Sequence, residues 1–151
     1  MTDILYFEDL VPGRRFVSQT LVVTEEEIVA FARLYDPQPF HLDAEAAKHT
    51  LFKGLAASGW HTAALSMRLI TAGMLPVAGG VIGRGADVME WPRPTRPGDT
   101  LHVVCEVLEA RLSASRPEIG WVKMRNETFN QHGEVVQRFT PNMPVPRRPA
   151  G

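Results

Sequence analysis

The sequence has little to cross-link it and no segment suited to a bilayer. Its single cysteine, Cys105, has no partner for an internal disulfide, which fits a reducing compartment. No window approaches about 18 consecutive apolar residues, so nothing reads as membrane-spanning. The opening MTDILYFEDL lacks a charged region followed by a long apolar one and does not read as a secretory signal. The expected location is cytoplasmic. Neither sign of charge dominates: 16 Lys and Arg against 17 Asp and Glu leave a net charge of −1. Such a chain has no basic field for nucleic acid or acidic lipid. A glycine-rich phosphate loop and a nucleotide fingerprint are both missing. His41 and Asp43 stand close in sequence, but no third clustered ligand joins them, so neither a metal nor a cofactor is expected.

What remains is an ordinary globular composition, 44% hydrophobic and 22% charged. A chain of 151 residues suits one domain and one core, read here as residues 1–151. That length buries roughly 70% of the unfolded surface, so no metal or disulfide staple is needed. The 12 prolines and 12 glycines cluster at 91–98 and 141–151, which read as a structured turn and an irregular tail.

Residues 15–23 are rich in β-branched side chains and predict a strand. Thr24 and Glu27 form a capping-box pattern, and Glu25 and Glu26 suit the positive end of a helix dipole. Ile28, Phe31, Ala32 and Tyr35 follow helical spacing. That helix must stop by Asp36, because Pro37 disfavours α geometry at the residue before it. Residues 36–42 read as a stiff extended segment, Asp43 as the cap of a short helix over 44–48, and 52–57 as a loop. From Ser58 or Gly59 a longer helix is expected to run to about Met74. Its apolar residues lie on more than one face, which predicts a helix buried in the middle of the molecule. Candidate strands follow at 81–90, 100–111, 119–130 and 134–140, in meander, with Gly133 in a tight hairpin. Pro92, Pro94 and Pro97 bar 92–98 from an inner strand. The layout is α+β, an antiparallel sheet around one long apolar helix.

Asp36 and His41 flank two prolines that fix φ and stiffen the loop. A carboxylate and an imidazole held together can relay a proton near neutral pH. Fully extended, residues 36 and 41 would stand roughly 16 Å apart, so the loop must fold back for the pair to meet. Read on the loop alone, Asp before Pro is also a common turn, its carboxylate capping local amides. Gly59 stands at the step from loop to buried helix. A glycine there admits a ligand close to the backbone, and the first helical N–H groups are unpaired and partly positive. The alternative is that Ser58 is a plain N-cap and Gly59 eases packing.

Residues 31–47, FARLYDPQPFHLDAEAA, resemble the signature of the MaoC-like dehydratases, the R-specific enoyl-CoA hydratases. That pattern has an Asp, Asn-Pro two residues on, a His, then an acidic and small residues opening a short helix. Here these are Asp36, Gln38-Pro39, His41, Asp43 and Ala46-Ala47. The family's glycine at the head of its central helix falls eighteen residues after the histidine, where Gly59 stands. Residues 91–103 resemble its proline-rich turn into a strand, and 130–136 its last hairpin. Gln38 replaces the usual Asn, and Tyr35 stands where a small residue is common. The resemblance implies a hot-dog fold, the sheet wrapping the 59–74 helix. It also implies a homodimer, or an assembly of dimers, with a tunnel for the pantetheine arm of coenzyme A or acyl carrier protein. By the same analogy Asp36 and His41 hold a water between them and Gly59 N–H binds the thioester carbonyl. Gln38, Ser58, His61 and Met67 are the candidate substrate-binding residues.

The implied reaction is hydration of a trans-2-enoyl thioester, or the reverse dehydration. A hot-dog thioesterase is the alternative, but such enzymes place a carboxylate on or near the central helix, and no Asp or Glu lies between Glu45 and Asp87. A non-catalytic acyl-binding protein is the third reading. His61 could line the acyl chamber or be a satisfied core histidine. Ser66 and Met67 could bound the same chamber or belong to ordinary core. Cys105 reads as a small buried hydrophobe. Arg84, Arg93 and Arg96 are candidates to grip CoA phosphates.

Overall fold

The computed structural model describes residues 3–151. After a 3₁₀ turn at Phe7–Asp9, the elements are β1 (Arg15–Val17), β2 (Leu21–Val22), α1 (Glu25–Tyr35), α2 (Pro39–Leu42), α3 (Ala44–Ala47), α4 (Gly59–Leu69), a single π-helical turn (Ile70–Met74), β3 (Ala86–Glu90), β4 (Thr100–Leu112), β5 (Ile119–Phe129) and β6 (Val135–Pro146). The strands form one six-stranded antiparallel sheet in the order β1-β4-β5-β6-β3, with β2 also pairing β4.

Alternation builds the sheet. Leu101, Val103, Cys105 and Val107 of β4 are buried while their neighbours are partly exposed. Val122 and Met124 do the same in β5. These inward rows meet Leu65, Leu69 and Ile70, so α4 packs across β4 and β6. The outward face of the sheet carries ion pairs, among them Glu106–Arg125 and Arg138 with Glu90 and Glu127.

The capping signals act locally. Thr24 Oγ1 accepts from Glu27 N at 3.2 Å, the first half of the expected capping box. Asp43 Oδ1 accepts from Glu45 N and Ala46 N and starts α3. At the hairpin, Asn130 Oδ1 accepts from His132 N and Glu134 N, and Gly133 takes φ +72°, a region glycine enters freely.

Four expectations are corrected. Residues 36–42 are not extended: Pro39 opens a helical turn at its first position, where a missing N–H costs nothing. Residues 141–146 are not tail but the end of β6, paired to β5 through Ile119↔Pro146. Pro144 and Pro146 are tolerated because β3 reaches β6 only as far as Pro141, leaving the remainder as an edge. The strands do not form a simple meander. The proline-rich stretch after β3 carries the chain across the sheet, so β3 lies beside β6 at the far edge. Finally, α4 is buried on one side only. His61, Thr62, Leu65, Ser66 and Leu69 face inward, while Trp60 is 61% exposed and Met67 39%. Among the described residues, no helix is long and apolar enough to cross a membrane.

Candidate active site

Asp36 ends α1, its N–H bonded to Ala32 O, with φ −154° and ψ 66° outside the helical region. The chain then hooks. Gln38 N donates to Asp36 O at 2.8 Å, and His41 N donates to Gln38 O at 2.9 Å. The hook closes the roughly 16 Å that an extended run would leave. His41 Nε2 stands 3.3 Å from Asp36 Oδ2.

The imidazole is held from its other side. His41 Nδ1 lies 2.6 Å from Ala56 O, an acceptor, so Nδ1 carries the hydrogen. Nε2 is then the nitrogen that can take or give a proton. The ring is 4% exposed and meets the edge of Phe40. Ala56 is itself pinned, its N–H donating to Phe40 O at 3.0 Å, and the next N–H, Ala57, donates to Thr95 O at 2.8 Å. Arg96 clamps the preceding loop through the carbonyls of Phe52, Gly54 and Leu55. Of the three arginines considered for CoA phosphates, Arg96 is thus engaged on backbone, Arg93 pairs with Glu134, and Arg84 lies over the Trp121 ring.

Gln38 does not extend into the cleft. Its Nε2 donates to Asp36 Oδ1 at 2.5 Å. The longer side chain therefore turns back and orients the carboxylate. Burial pushes the Asp36 carboxyl up, but hydrogen bonds from Gln38 and Ser58 and the nearby His41 outweigh it and hold Asp36 below its ordinary value. Ser58 is fully buried and caps α4, its Oγ accepting from Trp60 N at 3.3 Å.

Gly59 is the first residue of α4, and its N–H has no acceptor among the described residues. Packing also demands this glycine. A Cβ there would fall 2.6 Å from the Trp91 ring. Trp91 and Phe52 wall a cleft of about 300 Å³ that touches His41, Gly59 and Thr62. The Trp91 indole is fixed by donating to Gln137 Oε1 at 3.0 Å, and it meets Trp60 edge-on with ring centroids 5.3 Å apart.

Beyond Trp60 lies a second cavity of about 450 Å³, mostly apolar, bounded by Trp60, Met67, Ile70, Met89 and Phe139. Met67 thus falls on this chamber, away from the Asp36–His41 pair. His61 lines neither cavity. It is 6% exposed, stacks on Phe31 at 4.7 Å, and its Nδ1 has no partner among the described residues. Burial lowers its pKa below 6.5, a nearby Glu27 opposing. Cys105 is fully buried and its thiol is pushed up to about 12 by burial, which removes it as a nucleophile.

Trp91, Asn126 and Gln137 went unread in the sequence. For Asn126 and Gln137 a signal was available. The inward parity of β5 that selects Val122 and Met124 continues to Asn126 and Thr128, and Gln137 faces Thr128 in register. Trp91 had no such signal, because its role depends on a glycine more than thirty residues earlier.

An antiparallel sheet wrapped on one helix in this order is a hot-dog fold. Residues 9–127 match the MaoC-like domain, and the chain belongs to the MaoC-like dehydratase family. A MaoC-like dehydratase from Rhodospirillum rubrum is 55% identical, with a TM-score of 0.94 over 97% of this chain and 99% of that one. The R-hydratase PhaJ1 from Pseudomonas aeruginosa is 33% identical, with a TM-score of 0.75 over 95% of this chain and 86% of that one. The uncharacterized protein YdeM of Bacillus subtilis is 32% identical over 119 residues, 79% of this chain and 83% of that protein.

Two outcomes are expected from this geometry. Gly59→Ala should cost about 1–3 kcal/mol by overpacking against Trp91. In a Trp91→Ala background the same change should cost little, since alanine is the better helix former. Denaturant unfolding of all four proteins tests this, and an equal cost in both backgrounds would refute it. The second outcome concerns His61. Its folded pKa lies below the ordinary 6.5, so the unfolded state binds the proton more readily. Its contribution to stability is present above that pH and is lost as pH falls below it through the folded value. Unfolding free energy should decline from pH about 7.5 to about 5.5, and His61→Phe should flatten that decline. An unchanged slope would argue against it.

Proposed function

We propose that this protein adds water across the double bond of a trans-2-enoyl thioester, or removes it from a 3-hydroxyacyl thioester. The observation that supports this most is the Asp36–His41 contact at 3.3 Å beside the unpaired N–H of Gly59. A water touching both Asp36 and Nε2 of His41 gives up a proton to the pair as its oxygen bonds the β-carbon. The π electrons move to the α-carbon and the thioester oxygen, and Gly59 N–H donates a hydrogen bond to that oxygen as its charge grows. The pair then returns a proton to the α-carbon. One such donor contributes about 10²–10³ in rate, and acid–base groups about 10²–10⁴. The carrier is coenzyme A or acyl carrier protein. Its pantetheine arm reaches the cleft at His41 and Gly59, and the acyl chain runs past the two tryptophans into the chamber at Met67.

A second copy of the chain completes the assembly. β3 has β6 on one side and no partner on the other among the described residues. Strand edges of this kind invite pairing. The apolar residues left exposed on the helix side, Trp60, Met67 and Tyr35, contrast with the ion-paired outer face of the sheet. A dimer formed through the β3 edge covers that stripe.

Asp36→Asn and His41→Ala should each lower hydration of crotonyl-CoA by at least about 10², followed as loss of the enoyl-thioester absorbance. Turnover that survives both changes would reject the assignment. Release of free CoA thiol in place of hydration would instead identify a thioesterase. Sedimentation should give twice the 16.8 kDa chain mass, and a monomer at micromolar concentration would remove the second copy from this account.

A further inference from the structure

The chamber beyond Trp60 is mostly apolar, and of the three polar side chains that line it, Ser66, Asn126 and Gln137, one is left with an unpartnered oxygen. Asn126 is 5% exposed, and its Oδ1 has no hydrogen-bond partner among the described residues. Its polar neighbours on the same face are paired. Ser66 Oγ and Thr128 Oγ1 lie 2.6 Å apart, Thr62 Oγ1 donates to Thr95 Oγ1 at 3.0 Å, and Gln137 Oε1 accepts from Trp91. Asn126 lines the chamber of about 450 Å³ and also a smaller cavity of about 70 Å³ beyond it, which shares Met67, Ile70 and Phe139. It therefore stands at the junction of the two. From Trp60 to Ile70 the chamber follows α4 for roughly 15 Å, at about 1.5 Å per residue.

We propose that the acyl group bound here carries a hydroxyl toward its far end, and that Asn126 selects it. This rests on the enoyl-thioester reading above and narrows its substrate class. A chamber this large holds water, and water satisfies Asn126 in the free protein. A plain alkyl chain displaces that water and replaces none of its hydrogen bonds. A hydroxylated chain displaces the same water and donates to Oδ1. A hydroxyl also accepts, so it serves the amide in either orientation of its oxygen and nitrogen. A leucine at 126 would suit a plain chain, since the neighbouring Met67, Ile70 and Phe139 are already apolar. Sites that hydrogen-bond a substrate hydroxyl reject analogues lacking it, because the site's own polar group is left unpaired.

The test uses saturated acyl-CoAs, which bind without reacting. Calorimetry on the wild-type protein compares octanoyl-CoA with its terminally hydroxylated analogue, and the hexanoyl pair likewise. The hydroxylated member of at least one pair should bind about tenfold tighter, a factor set by one hydrogen bond. In Asn126→Leu that preference should vanish or reverse, with plain chains binding tighter. Equal or tighter binding of both plain chains by the wild type overturns the proposal. So does a preference that Asn126→Leu leaves untouched, and so does the absence of binding by all four thioesters. If Asn126→Leu does not fold, the wild-type ratios still decide. Selective binding without hydration of the matching enoyl-CoA would sink the hydratase reading alone. Hydration without selectivity would sink this inference alone.

Discussion

The bond between His41 Nδ1 and the Ala56 carbonyl is the contact on which the site depends. It ties two stretches fifteen residues apart, the hook after α1 and the approach to α4. By accepting from Nδ1 it fixes the tautomer and leaves Nε2 facing Asp36. Its fixity comes from elsewhere: Phe40 and Thr95 hold Ala56 and Ala57 on either side, and Arg96 closes the loop before them. A carbonyl tied this firmly positions a ring that a free loop would leave to rotate. Because residues 55–57 lead directly into Ser58 and Gly59, the bond also sets the distance from the Asp36–His41 pair to the head of α4.

Several parts of this arrangement were legible in the sequence because they obey local rules. Thr24 and Asp43 cap the helices that follow them, and alternation in β4 and β5 marks their inward rows. The hook at 36–41 was half legible. Two prolines signalled stiffness, yet the same residue that stiffens an extended chain is also a favoured first residue of a helix. Which role Pro39 plays depends on what waits for His41, and Ala56 lies beyond any local window. The end of β6 was misread for a related reason. Pro144 and Pro146 exclude an inner strand but not an edge, and edge status is decided by how far β3 reaches.

The exposed side of α4 is a different case. Its apolar residues on more than one face pointed to burial all round, and within this chain half of that surface is open. Hydrophobic patterning reports what must leave water, not which surface covers it. The inward side breaks its own pattern too. Thr62 and Ser66 replace apolar residues where α4 meets the sheet, and each bonds a threonine across the gap. Directional bonds set a helix's height and rotation on a sheet more narrowly than apolar contact does. Ser66 of this seam lines the chamber with its hydroxyl paired, and Asn126, whose Oδ1 has no partner among the described residues, is conspicuous beside it.

Gly59 joins the two halves of the site through one missing side chain. Removing Cβ lets the Trp91 indole lie against the helix start, where Gln137 holds it. The same placement brings Trp91 to Trp60, and the two rings become the partition between the cleft at His41 and the chamber at Met67. The packing role of this glycine and the exposure of its N–H to the cleft are therefore not alternatives. A larger residue would push Trp91 outward, and the partition would shift together with the free N–H that the cleft presents. Asp36 and His41 have their geometry from the hook, but the wall of the cleft beside His41 is placed by residue 59.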